Sequence, residues 1–452
     1  MQKSGLFEKY DVAGPRYTSY PPVPFWRDMP TPEVWLKNIS EDSALSERER
    51  VGVGVYVHIP FCESLCFYCG CNNFITHDRD KSTEYVSVVL KELEMYRSQA
   101  FRRQPLSIQC LHLGGGTPTY LKPEDLDRLV STILSNFKMT PDFEFSVEVD
   151  PRRTTIDHLK VLRSRGCNRL SLGVQDFAET VQKKINRVQP FNDVRAFVEA
   201  ARGVGFVEIN FDLIYGLPLQ TEETVRDTFE KVVSLRPGRI AFYSYAHVPS
   251  MRPAQAKLEA DLPSSSEKRK LFELGRALLL DAGYVEIGMD HFALPTDTLA
   301  KSADQKSLHR NFMGYTNQKN IPLIGLGVSA ISESREFYMQ NEKDLAKYMQ
   351  VVSAGHLPLM RGHQISRADH EIKDIILGLL TKYEHTFVGD LQLKIFDESD
   401  RQIKDLVSDG LITCDKKSVV VTTLGRAFIR NICMVFDPKL KESQATQFSK
   451  TV

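Results

Sequence analysis

Between residues 51 and 250, short apolar runs alternate with longer stretches whose apolar positions recur every three to four residues. The runs are VGVYVHI (53–59), IQCLHLGG (108–115), FEFSVEV (143–149), NRLSLGV (168–174), VEINFDLIYG (207–216) and RIAFYSY (239–245). Runs this short predict strands. The stretches between them, among them TEYVSVVLKELEMYRSQ (83–99) and PEDLDRLVSTILSNF (123–137), predict amphipathic helices. Strands and helices alternating at this spacing predict a parallel sheet with crossover helices. Six such units suit an α/β fold built as an open, partial (β/α)6 barrel, with a doubly wound sheet as the competing arrangement. In a barrel, chemistry gathers at the C-terminal ends of the strands. The polar residues of interest fall there.

Residues 1–50 lack the repeat and contain GPRYTSYPP (14–22), which predicts an extended, aromatic-rich arm. After about residue 335 the alternation stops. DHEIKDIILGLLTKY (369–383) and ESDRQIKDLVSDGLI (398–412) predict helices, and TCDKKSVVVT (413–422) a small hairpin. The chain therefore divides into an N-terminal arm over 1–50, the partial barrel with an extension over 51–335, and a mostly helical C-terminal domain over 336–452.

Composition adds limits. The 452 residues exceed what one small core needs, and 42% hydrophobic with 26% charged residues is ordinary for a globular protein. Lys+Arg and Asp+Glu both number 58, which argues against a nucleic-acid partner. No apolar run reaches membrane-span length, and the first residues lack the apolar stretch of a signal peptide. The expectation is a cytoplasmic protein without membrane insertion, its cysteines reduced. With no coiled coil or repeat, a monomer is expected.

Eight cysteines fall at 62, 66, 69, 71, 110, 167, 414 and 433. The last four stand singly and are expected to be buried apolar fillers. The first four sit on one short loop, VHIPFCESLCFYCGCNNF (57–74), directly after the first strand. A structural zinc site usually takes two C-x-x-C knuckles separated by a spacer, and C-x-C is a strained bite for adjacent tetrahedral ligands. An iron–sulfur cluster fits better, because thiolates are its usual ligands and close spacing lets one loop wrap a cube. Three thiolates would leave one iron open to a small molecule. Zinc remains the bland alternative.

Cys62, Cys66 and Cys69 in C-x3-C-x2-C after the first strand of a β/α series resemble the radical S-adenosylmethionine superfamily. The resemblance implies a 4Fe-4S cluster whose open iron takes S-adenosylmethionine, and a 5′-deoxyadenosyl radical formed from it. Such a radical needs a dry cavity. GGGTPTY (114–120) is a weak motif alone; beside the cysteine loop it resembles the superfamily's glycine-rich segment. Glu148, Gln175 and Asp212 sit at the ends of later strands, with Arg187 in a following helix and Ala246 after the sixth strand. A single strand-end carboxylate commonly caps a helix or faces water. A series of them suits a sulfonium and its ribose diols better.

A closer resemblance rests on GPRYTSYP (14–21), YVHIPFC (56–62), C-G-C (69–71), GGGTPTYL (114–121), SVEVDPR (146–152), GVQDF (173–177), NFDLIYGLP (210–218), MDHFA (289–293), LHRNF (308–312), LGVSAIS (326–332) and IRNICM (429–434). Together they resemble the oxygen-independent coproporphyrinogen III oxidase family over nearly the whole chain. The resemblance implies oxidative decarboxylation of two propionates of coproporphyrinogen III, giving protoporphyrinogen IX in haem biosynthesis. It also implies a reduced electron donor such as flavodoxin. Carried over, it makes Cys62, Cys66 and Cys69 the cluster ligands, and it implies two S-adenosylmethionine molecules. The first matches Tyr56, Gly115, Glu148 and Ile331. The second matches Tyr68, Gly116, Thr117, Gln175, Arg187, Asp212 and Ala246. Tyr56, Cys71 and Glu148 are the expected catalytic residues.

Two positions depart from the family pattern: Tyr68 stands where a Phe is familiar, and Val435 where another Cys would be. Cys71 and the aromatic arm favour the oxidase over related haem chaperones, which have Phe at that point and lack the arm. The bland reading of Cys71 is a small buried thiol. A tetracarboxylate substrate calls for cationic clamps, with Arg16, His291, His309 and Arg310 as candidates, and with Arg16, Tyr17 and Tyr20 as a flap over the substrate. The rival functions are a haem chaperone and a radical methyltransferase or ring-opening enzyme acting on tetrapyrroles.

Overall fold

The computed structural model describes residues 3–101, 105–319, 321–441 and 448–451. All six expected strands form: β1 (Val53–Ile59), β2 (Leu106–Gly115), β3 (Phe137–Val149), β4 (Arg169–Gln175), β5 (Glu208–Tyr215) and β6 (Arg239–Ser244). Each pairs in parallel with the next. Crossover helices Asp80–Gln99, Pro123–Leu134, Ile156–Ser164, Phe191–Gly203 and Glu222–Leu235 connect them. This is the partial (β/α)6 barrel.

The side-chain alternation of a strand explains why one face is core and the other chemistry. Val55, Leu111, Phe145, Leu170, Phe211 and Ile240 are all fully buried in the main apolar cluster. Each contributes roughly 1.5–3 kcal/mol of burial. On the intervening positions, Tyr56 lies beside His112 and His112 beside Ser146, while Glu148 lies beside Ser171. The opposite face of the same strands therefore carries polar side chains.

The sheet runs further than the repeat predicts. Short strands β7 (Val285–Ile287), β8 (His291–Ala293), β9 (Leu323–Leu326), β10 (Ile331–Glu333), β11 (Phe337–Asn341) and β12 (Leu359–Gln364) extend it to twelve, in the order β12-β11-β10-β9-β1-β2-β3-β4-β5-β6-β8-β7. Only β9 among the additions runs parallel to its neighbour, β1. Residues 337–364 thus belong to the sheet, and the helical region begins after them, with Arg367–Lys382, Gly389–Glu398 and Asp400–Ser408. The expected hairpin forms from Ile412–Asp415 and Ser418–Val421, joined by Glu384–Thr386.

Residues 1–50 are more than an arm. Helix Pro32–Glu49, with Thr31 at its N-cap, buries Trp35 and Ile39 in the main core, and Trp35 Nε1 donates to Tyr96 Oη at 3.0 Å. Residues 14–22 do not form the extended arm expected: Tyr17 has φ 49° and residues 18–21 bend, which folds the segment onto the C-terminal region. Tyr17 and Tyr20 are buried in its apolar cluster, and their hydroxyls donate to Asp437 at 3.0 and 2.9 Å.

Candidate functional site

The C-terminal ends of β1 to β6 open into one cavity of about 270 Å³. Twelve of the residues expected from sequence line it: Cys62, Cys66, Tyr68, Cys69, Cys71, Gly115, Gly116, Thr117, Glu148, Gln175, Arg187 and Asp212. Three do not. Tyr56, Ala246 and Ile331 stand behind the lining, each tied to it.

The cysteine loop is pressed against the glycine segment. Gly116 N donates to Ile59 O at 2.7 Å, and a Cβ on Gly116 would lie 2.5 Å from Pro60 O. Only glycine allows this approach. Donors reach the sulfurs from three directions: Thr117 Oγ1 lies 3.5 Å from Cys62 Sγ, Arg187 Nη1 3.7 Å from Cys66 Sγ, and Asn73 Nδ2 3.4 Å from Cys69 Sγ. Burial pushes the Cys62 thiol up to about 11. A hydrogen bond from Cys71 draws Cys69 down to about 6 and holds the Cys71 proton on its own sulfur. Cys71 is exposed to the cavity, not a buried filler. Of the single cysteines, Cys110, Cys167 and Cys433 are buried as expected, whereas Cys414 is exposed.

These residues fit an iron–sulfur cube. Three thiols from one loop face one cavity with hydrogen-bond donors to sulfur, the surroundings that tune such clusters. Among the described residues, no three His, Cys, Asp or Glu groups converge on a single-ion position. Ligands to separate corners of a cube have no need to.

Glu148 is held in place by its neighbours. Gly115 N donates to its Oε2 at 3.1 Å, and His112 Nε2 to its Oε1 at 3.4 Å. That tautomer leaves His112 Nδ1 to accept from Ser146 Oγ at 2.7 Å. Tyr56 stacks on the His112 ring with centroids 5.8 Å apart. Its hydroxyl donates to His58 Nδ1 at 3.0 Å, and His58 Nε2 donates to the Asn72 carbonyl at 2.8 Å. The first strand thereby grips the end of the cysteine loop. Ile331 sits one strand beyond, its backbone against Gly325, which pairs with Tyr56.

On the far wall, Gln175 has φ 66°. The left-handed backbone costs a non-glycine residue about 1 kcal/mol, and it places the side chain at the cavity. Arg187 is buried between Asp150, whose Oδ2 it meets at 3.3 Å, and the Gly173 carbonyl at 2.7 Å. Burial raises Asp150, but Arg187 and Arg152 outweigh it and hold the carboxyl down to about 2. Asp212 differs. Burial first, then Glu148, pushes it up to about 7, against one hydrogen bond from Ser171 at 3.2 Å. Ala246 joins the site through Gln255, a fully buried amide whose Nε2 donates to the Tyr68 carbonyl at 3.1 Å and to the Ala246 carbonyl at 3.2 Å. The same side chain accepts from Val248 N at 2.6 Å.

Sequence reasoning missed His58, His112, Asp150, Arg152, Tyr243 and Gln255. His58 and His112 carried a signal, since both occupy inward positions of predicted strands. Gln255 carried none, lying in a short helix far along the chain. None of the proposed clamps lines the cysteine cavity; His291 and Arg310 meet instead on the Tyr315 ring. Arg310 is buried under Tyr315, with its Nη2 3.4 Å from the Arg16 carbonyl. His291 is bound to Asp290 at 2.8 Å, and His309 stands in a short hairpin opposite Thr316.

A parallel sheet with a three-cysteine loop after β1 defines a class, and residues 56–232 match the family model described as the radical SAM superfamily. The chain is 40% identical to the oxygen-independent coproporphyrinogen III oxidase of Escherichia coli, covering 99% of this chain and 98% of that one. It is 38% identical to the Pseudomonas aeruginosa protein of the same name over 99% and 98%. The solved structure of the Escherichia coli coproporphyrinogen III oxidase superposes with a TM-score of 0.86 at 39% identity, covering 94% of this chain and 97% of that chain. The chain belongs to the oxygen-independent coproporphyrinogen III oxidase family.

Proposed function

We propose that this chain oxidatively decarboxylates two propionates of coproporphyrinogen III to vinyl groups without oxygen, giving protoporphyrinogen IX in haem biosynthesis. The supporting observation is a single cavity that gathers three loop cysteines and the strand-end residues of β2 to β5, in a chain 40% identical over its length to enzymes of that name. When bound, a 4Fe-4S cluster and S-adenosylmethionine supply a 5′-deoxyadenosyl radical able to take hydrogen from a propionate β-carbon.

The chain's own residues bind, orient and exclude water. Cys62, Cys66 and Cys69 hold the cluster. Cys71 lies beside these ligands on the same loop, its thiol hydrogen-bonded to Cys69. Tyr56, Gly115, Glu148 and Ile331 bind the first S-adenosylmethionine, with the Glu148 carboxylate aimed by His112 and Gly115. Tyr68, Gly116, Thr117, Gln175, Arg187, Asp212 and Ala246 bind the second. Arg187, neutralised by Asp150, seals the wall behind Cys66 without bringing an uncompensated charge. Residues 1–50 pack on the core and the C-terminal region, with Arg16 reaching the end of β6 at Ser244; the barrel with its added strands follows, and a helical region runs on from about residue 365. A one-electron donor such as flavodoxin supplies the reducing equivalent to a monomer in the cytoplasm; no helix among the described residues is long and apolar enough to cross a membrane.

The test is an anaerobic assay with reductant, S-adenosylmethionine and coproporphyrinogen III. Expected are 5′-deoxyadenosine, carbon dioxide and the vinyl product. Methylated tetrapyrrole, or haem bound and released unchanged, would refute the proposal.

A further inference from the structure

A second cavity, of about 440 Å³, lies where the arm, the ends of β5 and β6, helix Ser265–Asp281 and residues 423–430 meet. Five arginines line it, Arg16, Arg269, Arg276, Arg426 and Arg430, against three carboxylates, Glu273, Glu286 and Asp290. Each carboxylate is already engaged. Glu273 pairs with Arg269, Glu286 takes Arg276 in a fork at 2.9 and 2.8 Å, and Asp290 holds His291 at 2.8 Å. Among the described residues, Arg16, Arg426 and Arg430 have no carboxylate partner.

Their remaining bonds go to neutral groups. Arg16 Nη2 donates to the Ser244 carbonyl at 2.8 Å, and Arg430 to the carbonyls of Pro15 at 3.1 Å and Lys450 at 3.0 Å. The Nε atoms of Arg269 and Arg426 are buried without any hydrogen-bond partner. Burial, then the charge of Arg16, holds Arg430 down to about 9 and neighbouring Lys268 down to about 8. Uncompensated buried cations of this kind are strongly unfavourable until an anion meets them. Much of the remaining wall is apolar, with Tyr215, Phe272, Met289 and Ile429 beside the hydroxyls of Ser244, Thr423 and Thr451. Such a surface fits a flat apolar body edged with carboxylates.

Its position connects it to the reaction. On β6, Tyr243 lines the cysteine cavity and the next residue, Ser244, lines this one; on β5, Asp212 and Tyr215 divide in the same way. Three strand residues span about 10 Å, within the breadth of a tetrapyrrole macrocycle. We propose that this arginine cavity anchors the two propionates that the tetrapyrrole keeps, leaving the opposite edge to face the cysteine cavity. The inference rests on the decarboxylase reading and adds where the substrate is held.

Retained propionates are present on substrate and product alike, which yields the test. Coproporphyrin III and protoporphyrin IX, the air-stable relatives, are titrated into anaerobic holoenzyme and followed by porphyrin fluorescence. In Arg426→Gln both dissociation constants are expected to rise about tenfold, the scale of one lost charge-assisted bond. Arg426→Lys should recover part of the loss. Arg269→Gln, on a separate helix, should repeat it and guards against a folding defect at 426. Weakening of coproporphyrin III alone would overturn the proposal, since the cavity would then hold reacting groups. So would constants within twofold of wild type in both Gln variants. The decarboxylase reading fails separately: wild type that binds both porphyrins through Arg426 but releases no carbon dioxide would refute that reading and leave the anchor standing.

Discussion

The two cavities sit on neighbouring positions of β5 and β6 and treat charge in opposite ways. Around the cysteines, the buried cation Arg187 has its anion, Asp150, and the sulfurs have their donors. Around the arginines, three cations face one space: Arg16 and Arg430 have only carbonyls as partners, and Arg426 has the Tyr383 ring. A paired network can stay rigid before anything binds. An unpaired one gains its counter-charge only when a ligand arrives. The first describes a reaction centre that must be preorganised, and the second a subsite that draws in an anionic molecule and positions it.

The largest expected effect separates the two. Cys66→Ser should lower product formation by more than about a hundredfold, beyond the loss typical for a residue that only supports a ligand. Iron content should drop with it. Porphyrin affinity should stay near wild type; a parallel collapse of affinity would show that the cavities are not independent.

Next comes the paired network itself. Asp150→Asn removes one partner of the buried Arg187 pair, a change that costs about 3–5 kcal/mol. A fall of the thermal midpoint measures it, and an unchanged midpoint would remove the claim of preorganisation. Smaller is the arm. Tyr17→Phe with Tyr20→Phe leaves the Asp437 carboxyl, already raised by burial, without either hydroxyl donor. About 1–3 kcal/mol should be lost, read as a lower urea midpoint with faster proteolysis near residue 20.

The smallest effect is a pH slope. Asp212, raised to about 7, is protonated in the folded site below that value. Its carboxylate, the form that accepts ribose hydroxyls, prevails above it. Affinity for S-adenosylmethionine should therefore fall as pH drops below 7, by up to about tenfold per unit, and Asp212→Asn should flatten the slope. In the unliganded chain the same shift works the other way: the folded state binds the extra proton, so stability declines as pH rises from about 4 to 7.

The repeat that was legible in the sequence is the part built from local signals. Six apolar runs with helices between them are each long enough to read alone, and all six form. The cysteine spacing and the strand-end residues Glu148, Gln175 and Asp212 were equally local, the others of the set came with the family resemblance, and twelve of the fifteen expected site residues share one cavity. Strands β7 to β10 escaped because runs of three or four residues carry too little periodicity, and because β10 to β12 owe their place to antiparallel neighbours. Gln255 and Asp150 escaped for another reason. Their value lies in partners at 68 and 187, and nothing in their own vicinity announces such contacts. Arg426 lay inside a stretch read only as helical, and the arginine cavity needed four distant segments to become visible.

The arm also imposes an order on assembly. Gly14 N donates to Ser449 O at 3.0 Å, Thr451 N to Val12 O at 2.8 Å, and Arg430 reaches the Gly14 and Pro15 carbonyls. A chain leaving the ribosome has made residues 12–16 more than four hundred residues before these partners emerge. The wall that carries Arg16 is thus the last to close, and a nascent chain can complete its barrel while the entrance for the macrocycle still lacks one side.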